Sequence, residues 1–482
     1  MRTGTATGSE STMPMRAAGR TTGLALAIVL SPGVTLAQNT PLSLILPELL
    51  GNTITLQPSN LPDQPNHIAH FQPGADQLQV PAQVNEALLT LLSTYPTATP
   101  AGGFTYIFDP ALGTLTRSSD SFGPSFAERA LTTGRGKVNV GFGHQRAAYD
   151  TFEGLNLRQR GITFYIQHVD CCSPGAAADS NPDGSRLTPP FEGDLIEAGL
   201  ALELVSDTSI VFASYGVSDR LDIGLAVPFV RVDMNASVLA RIQRLATAPD
   251  PSIHAFEGGS DRRLFRSSGT AAGLGDVVLR AKYAFTSSKP WGIAAAVEAR
   301  VPTGDESNLL GTGGVQTKVL GIGSFHRGPL SPHVNVGYTF SSKGALPRAT
   351  LHDEVIATAG VDLALSPRVT MSFDVLGRTL RDAGRMRMTE KTFEFAVVGS
   401  GAGGGGGGGG GGRPMPPPGQ TMSVTRTELQ FIPGNLHLYL GAAGVRFNPW
   451  RTLLVTANLL FPLTDAGLRD RVTPAVGIDY VF

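Results

Sequence analysis

The chain closes on VTPAVGIDYVF, Val472 to Phe482. Counted back from the last residue, Phe482, Tyr480, Ile478, Val476, Pro474 and Val472 share one face, with Asp479 on the other. Successive side chains of a strand point to opposite faces, so this segment has one apolar face finished by two aromatics. The same period of two recurs upstream. Val355, Ala357, Ala359, Val361, Leu363 and Leu365 alternate with Ile356, Thr358, Gly360, Asp362 and Ala364. Ile293, Ala295, Val297, Ala299 and Val301 alternate with residues that include Glu298 and Arg300. Leu453 to Phe461 and Val277 to Phe285 repeat the pattern, the latter opposing Asp276, Arg280 and Lys282. Each segment is a strand with one apolar and one polar face.

Short turns and long loops alternate between these strands. Tight turns fit 218–220, 287–290, 326–330, 366–368 and 448–451; longer loops fit 151–190, 238–270, 303–312, 343–352, 381–430 and 464–471. Five hairpins, with one strand before and one after, make an all-β chain of about twelve antiparallel strands. An even strand count, with short periplasmic turns at one end and long outer loops at the other, is the pattern of a transmembrane β-barrel. A soluble sandwich has no need to gather its long loops on one side. The apolar faces then meet lipid and the polar faces line the lumen. The closing strand resembles the signal read by the bacterial barrel-assembly machinery, with Tyr480 and Phe482 as its aromatic residues. Two breaks in parity remain. Leu436, Leu438 and Leu440 share a face that Val445 and Phe447 do not, which predicts a bulge near Gly441 or Gly444. His144 sits where another apolar residue should follow Val138, Val140 and Phe142.

Composition agrees with this reading. Only 16% of the 482 residues are charged, against roughly 25% in soluble domains. The 59 Gly and 34 Pro argue against a helical bundle. A net charge of −1 removes the electrostatic case for a nucleic-acid partner. No apolar run reaches the roughly 18 residues of a membrane-spanning helix. Cys171 and Cys172 are too few for a disulfide framework, and their adjacency strains a bond between them.

Leu24 to Leu30 (LALAIVL) follow Arg16 and Arg20 and precede Thr35-Leu36-Ala37. This predicts a signal peptide over 1–37, cleaved after Ala37, with Met13 or Met15 as the start. Residues 38–125 form an N-terminal plug-like segment: a helix over 79–95, a hairpin of 104–108 with 114–117 around DPALG, and loop elsewhere. The barrel spans 126–482, with a flexible Gly/Pro loop over 400–420 around the ten glycines Gly403 to Gly412.

Four stretches carry a family resemblance: SYGVSDRLDIGLAVPFVRV (Ser214 to Val232), GLGDVVLRAKYAF (Gly273 to Phe285), RVPTGDESNLLGTGGVQTK (Arg300 to Lys318) and LSPHVNVGYTF (Leu330 to Phe340). They resemble a family of bacterial outer-membrane proteins linked to transport in the meta-pathway of phenol degradation. GGFTYIFDPALGTLTRSSDSFGP (Gly102 to Pro124) is similar to the segment before the barrel in some members. The glycine tract departs from the family's pattern and leaves that loop without an inference. The resemblance implies an outer-membrane barrel related to fatty-acid-type channels, and a transporter or channel for small hydrophobic or aromatic compounds. It brings no catalytic or ligand signature.

The polar faces put Glu197, Glu203, Asp222, Asp276, Arg280, Lys282, Glu298, Arg300, His333, Asn335, Asp362, Asp374, Arg378 and Asp479 in the lumen. Opposite charges there should pair, because a lone desolvated charge is costly. They form either a structural ladder or a polar constriction that selects permeants. Residues 38–125 are expected to plug the lumen, with a small apolar permeant passing by a gate or laterally. The expected partners are outer-membrane lipid, the assembly machinery and that permeant; no cofactor is implied. A non-transporting structural or surface barrel is the alternative. An outer-membrane lipid hydrolase is a lesser one: Ser331, His333 and Asn335 share a face, but no GxSxG or HExxH motif accompanies them, so no enzyme is expected. Asp305 and Glu306, beside Ser307 and Asn308, lack the spacing of a calcium loop and read as solvated loop polarity.

Overall fold

The computed structural model describes residues 40–51, 54–58, 68, 71, 79–93, 95–96, 104–109, 114–117, 119–168, 193–245, 254–286, 290–342, 351–396 and 421–482. The signal-peptide segment, Cys171, Cys172 and the Gly/Pro loop lie outside the described residues. Twelve strands build the wall. They are β1 (Val138–Phe152), β2 (Leu195–Gly216), β3 (Leu221–Gln243), β4 (Val277–Thr286), β5 (Trp291–Val301), β6 (Gln316–Phe325), β7 (Leu330–Ser341), β8 (Glu354–Ser366), β9 (Val369–Leu380), β10 (Leu436–Trp450), β11 (Leu453–Pro462) and β12 (Thr473–Val481). Neighbours in chain order pair antiparallel, and β12 pairs with β1 to close the ring. The five tight turns fall where the sequence places them, joining β2–β3, β4–β5, β6–β7, β8–β9 and β10–β11.

The outward side chains of the lower wall are apolar. Leu279, Tyr283 and Phe285 of β4, Val334, Val336 and Phe340 of β7, and Val476 and Ile478 of β12 are all exposed. Tyr480 and Phe482 pack edge-on against each other on this face, ring centroids 4.7 Å apart. A continuous apolar belt around a closed barrel is a lipid-facing surface, so this is a bacterial outer-membrane barrel. No helix among the described residues is long and apolar enough to cross a membrane; the strands do so.

Above the belt the polarity of the wall reverses. Strands β2 and β3 have 22 and 23 residues, about twice what a tilted strand needs to cross a bilayer. In their upper halves Ile196, Ala198, Leu200, Leu202 and Leu204, with Val232, Met234, Ala236, Val238, Ala240 and Ile242, are buried. They form one core with α1 (Leu42–Glu48) and α2 (Gln79–Ser93). Here the inner face meets helices and the outer face meets water. Glu197 and Glu203 fall on the other parity from this buried set and point outward, which corrects their assignment to the lumen. His144 keeps its parity on the outer face beside Val476, with which it pairs, and its Nδ1 lies 3.0 Å from Ser209 Oγ.

Three further expectations change. The loop placed over 238–270 is strand at both ends, because β3 continues to Gln243 and Arg262–Leu274 pairs along it. The loop placed over 381–430 contains the hairpin of Arg385–Ala396 with Thr421–Ile432. The bulge near Gly441 is absent: β10 runs in unbroken register against β9 from Leu436↔Leu380 to Phe447↔Val369. Leu436, Leu438 and Leu440 are buried on the inward face, the first two in the core with α2 and Leu440 against Phe126. The helix α2 and the hairpin of Tyr106–Asp109 with Thr114–Arg117 form as expected; the short α1 adds to the expected helix.

Candidate functional site

Residues 121–134 are buried without interruption before β1 begins. Their partners are inward side chains of the wall. Phe126 packs with Leu376, Leu440, Ala442, Leu460 and Ala475. Ala130 packs with Ala284, Ala294, Ala296, Leu320 and Ile322. The alanine-rich inner wall of β4 and β5 leaves room for a backbone to lie against it. Gly292 on β5 extends this, since a Cβ there would stand 2.9 Å from Ala130. The segment is also tied by its polar groups. Arg446 donates to the carbonyls of Phe122 at 2.9 Å and Pro124 at 2.8 Å. The Thr133 N–H donates to Asp222 at 2.8 Å. Asn335 accepts from the Glu128 N–H at 2.7 Å and donates to its carbonyl at 3.0 Å.

Glu128 is the centre of an ionic cluster. Its carboxylate meets Arg280 at 2.5 Å and Lys282 at 3.6 Å, and all three side chains are 3–4% exposed. Arg280 also lies 3.3 Å from Glu298, which pairs with Lys318. Lys282 is 4.0 Å from Asp222 and donates to the Leu131 carbonyl at 2.6 Å. Three cationic and three anionic groups thus neutralise one another, and the buried Glu128, Arg280, Lys282 and Asp222 could not stand alone there. A second cluster joins His333 Nε2 to Asp374 at 2.7 Å, with Asp362 3.8 Å from Nδ1. A third pairs Arg378 with Glu354.

A cavity of about 240 Å³ lies between Phe126 on one side and Leu92, Tyr95 and Pro96, at the end of α2, on another. Its lining divides by chemistry. Ile210, Phe212, Leu310 and Leu376 supply apolar surface; Arg280, Glu298, Arg300, Lys318, Glu354 and Arg378 supply charge. Burial pushes the Tyr95 phenol above its ordinary value, against the hydrogen bond with Thr473.

Two family-like stretches meet beside this cavity. The Asp276 carboxylate accepts from the Gly304 N–H at 3.0 Å, the Thr312 N–H at 2.7 Å and the Thr312 hydroxyl at 2.6 Å. Thr303 Oγ1 donates to the Gly275 carbonyl at 2.7 Å. Asp276 therefore fastens the loop between β5 and β6, and Leu309 and Leu310 of that loop line the cavity. Within the loop Asp305 caps a short turn over Glu306–Asn308. Burial opposes its charge, but hydrogen bonds from Ser307 and Asn308 hold its carboxyl below the usual range. Among the described residues no group of three or more His, Cys, Asp or Glu is placed to hold a metal ion.

The sequence-selected residues Asp222, Asp276, Arg280, Lys282, His333, Asn335, Asp362, Asp374 and Asp479 are buried on the inward parity, and Glu298, Arg300 and Arg378 border the cavity. Only Glu197 and Glu203 fall elsewhere. Sequence reasoning missed Glu128, Lys318, Glu354 and Arg446. Lys318 and Glu354 stand one residue before outward Val319 and Val355, so parity alone could have found them. Glu128 belongs to a stretch with no period and leaves no such signal. The hydrolase alignment does not form: His333 is bound through Nε2 to Asp374, while the Ser331 hydroxyl meets Ser121 and His326.

Residues 177–375 match the family described as "Putative MetA-pathway of phenol degradation". The resemblance read from the sequence is borne out over that region, from before β2 into β9. No curated protein matches the chain. Among solved structures, an outer-membrane channel from Pseudomonas putida F1 is similar at 11% identity and a TM-score of 0.40, over 72% of this chain and 96% of that one. The toluene transporter TodX of P. putida is similar at 10% identity and a TM-score of 0.29, over 72% and 89%. A FadL homologue from Pseudomonas aeruginosa is similar at 11% identity and a TM-score of 0.27, over 73% and 90%.

Proposed function

We propose that this barrel carries small aromatic or otherwise hydrophobic compounds across the outer membrane, and that residues 119–134 are the gate. The cavity is the observation that carries the reading. A cavity of roughly 150 Å³ suffices for benzene, so about 240 Å³ holds one substituted ring. The apolar side suits the ring, and the charged side suits a hydroxyl or carboxylate on it. The family match points the same way. In this reading 38–125 is not the whole plug: α1 and α2 cover the outer end, and the layer nearer the turns is 119–134. The terminal strand with Tyr480 and Phe482 is the part offered to the assembly machinery. Catalysis has no place in the proposal.

Lipopolysaccharide slows apolar solutes more than phospholipid does, so whole cells are the right test. Isogenic cells with and without the chain are compared for uptake of labelled toluene, phenol and benzoate. Faster uptake, altered in an E298Q/R300Q variant, is the expected result. Equal uptake by both strains refutes transport of these compounds. It would favour the second reading, a structural barrel, for which the dense packing of 119–134 is the supporting observation.

A further inference from the structure

Away from the lumen, two histidines face each other. His168 follows the strand Ile162–Gln167, and His254 precedes the short turn Glu257–Gly259. His254 is 0% exposed and His168 5%. Their Nε2 atoms lie 3.1 Å apart. Asp194 Oδ2 is 2.9 Å from His254 Nδ1, and the other Asp194 oxygen accepts from the Leu245 N–H at 2.8 Å. Arg244 donates to the His254 carbonyl at 2.7 Å. Phe71, from the segment before α2, packs edge-on against both imidazoles at 5.3 Å between centroids.

The carboxylate selects the tautomer. A His254 that donates its Nδ1 proton in a hydrogen bond to Asp194 carries an unprotonated Nε2 on the side of His168. A carboxylate behind the far nitrogen is also the usual companion of a metal-ligating histidine. The ring centroids are 4.8 Å apart against 3.1 Å between the nitrogens, so the ring axes converge. With each centroid about 1.1 Å behind its nitrogen, axes meeting symmetrically cross about 2 Å beyond each Nε2, the length of a zinc–imidazole bond. A collinear N–H···N bond between the same nitrogens would hold the centroids about 5.3 Å apart.

We propose that His168 and His254 form a two-histidine clip for a divalent transition-metal ion of the zinc and copper class, with Asp194 orienting one ligand. Imidazole nitrogens favour these ions over magnesium or calcium. Among the described residues no third ligand joins these two. The clip ties the loop after Ile162–Gln167 to the loop before Arg262–Leu274, over Phe71. It stands independently of any permeant.

The test uses full-length protein without a histidine tag, stripped with a chelator and titrated with Zn²⁺ in a calorimeter. Metal content after dialysis is measured by mass spectrometry. One saturable zinc ion per chain is expected, lost in H168Q/H254Q and bound about 10–100-fold more weakly in D194N. A heat-dependent gel shift in each variant shows that the barrel is intact. No saturable binding, or equal binding by the intact double variant, overturns the proposal and leaves a hydrogen-bonded imidazole pair.

Discussion

Replacing Glu128 by alanine tests whether residues 119–134 are held by charge. The carboxylate neutralises two cations that are each 4% exposed. Removing one member of a buried ion pair costs about 3–5 kcal/mol, because its partner is left charged and dry. Arg280 would retain Glu298 at 3.3 Å, but Lys282 would keep only Asp222, at 4.0 Å, as its anionic partner. At 1.4 kcal/mol per factor of ten, the ratio of released to docked segment should rise about a hundredfold to a few thousandfold. The ties from Arg446, Thr133 and Asn335 remain, so the segment should loosen around Glu128 rather than leave. Single-channel recording in planar bilayers would show this as more frequent and longer openings, with the barrel checked by its gel shift. The triple variant E128L/R280M/K282M should close the channel again, since swapping a whole buried ion cluster for apolar side chains is often neutral or stabilising. An open probability for E128A within twofold of the parent would refute the reasoning. So would a triple variant as leaky as E128A.

Four other outcomes follow from the same structure. Val336→Arg, on the lipid face of β7, should destabilise the folded barrel by about 2–4 kcal/mol in denaturant titration, whereas Asn235→Arg on the outer face of upper β3 should change little. Asp276→Ala leaves the Gly304 and Thr312 N–H groups unpaired, while the Thr312 hydroxyl keeps the Gly314 carbonyl, at about 1–3 kcal/mol for each buried donor; limited proteolysis should then cut within 303–315 faster than in the parent. Glu197→Gln and Glu203→Gln should leave permeant selectivity unchanged, while Arg300→Gln should shift it in reversal-potential measurements. The Asp305 carboxyl is held below its ordinary value, so its contribution to the loop is present above that value and is lost as pH falls through the lowered one. Amide hydrogen exchange over 303–315, corrected for its intrinsic pH dependence, should therefore show the same protection at pH 7 and pH 5 and lose it only in stronger acid.

The wall was legible in the sequence because lipid imposes a strict alternation on any strand that crosses it. Val334, Val336 and Phe340 could face only one way, and the turns at 326–330 and 366–368 follow from where that alternation stops. The same rule misled where its premise ended. In β2 the inward set is even-numbered from Ile196 to Ser214, yet lower down the apolar side is the outer one and higher up the inner one. A period of two states that two faces differ; it does not state which medium each face meets. Glu197 and Glu203 were misjudged through that one omission, and so was β10, whose Leu436, Leu438 and Leu440 pack inward against the N-terminal segment.

The filling of the lumen was hidden for a different reason. A chain that lies inside a barrel has wall on all sides, so residues 121–134 show no amphipathic period to read. The clue lay in the wall instead. Arg280 on β4 stands opposite Glu298 on β5 and Lys282 opposite Ala296, with Ala294 beyond, and two inward cations beside one inward anion on these adjoining strands leave a positive charge to be met. Lys318 adds another, and Asp222, opposite Lys282 on β3, removes one, so the wall keeps one positive charge in excess. A buried excess of that sign, beside alanines too small to fill the space, calls for an anion from outside the wall, and the Glu128 side chain supplies it; its neighbour Arg129 turns instead to Ser119 and Ser121. Charge accounting across facing strands can therefore locate a luminal segment that periodicity leaves unseen.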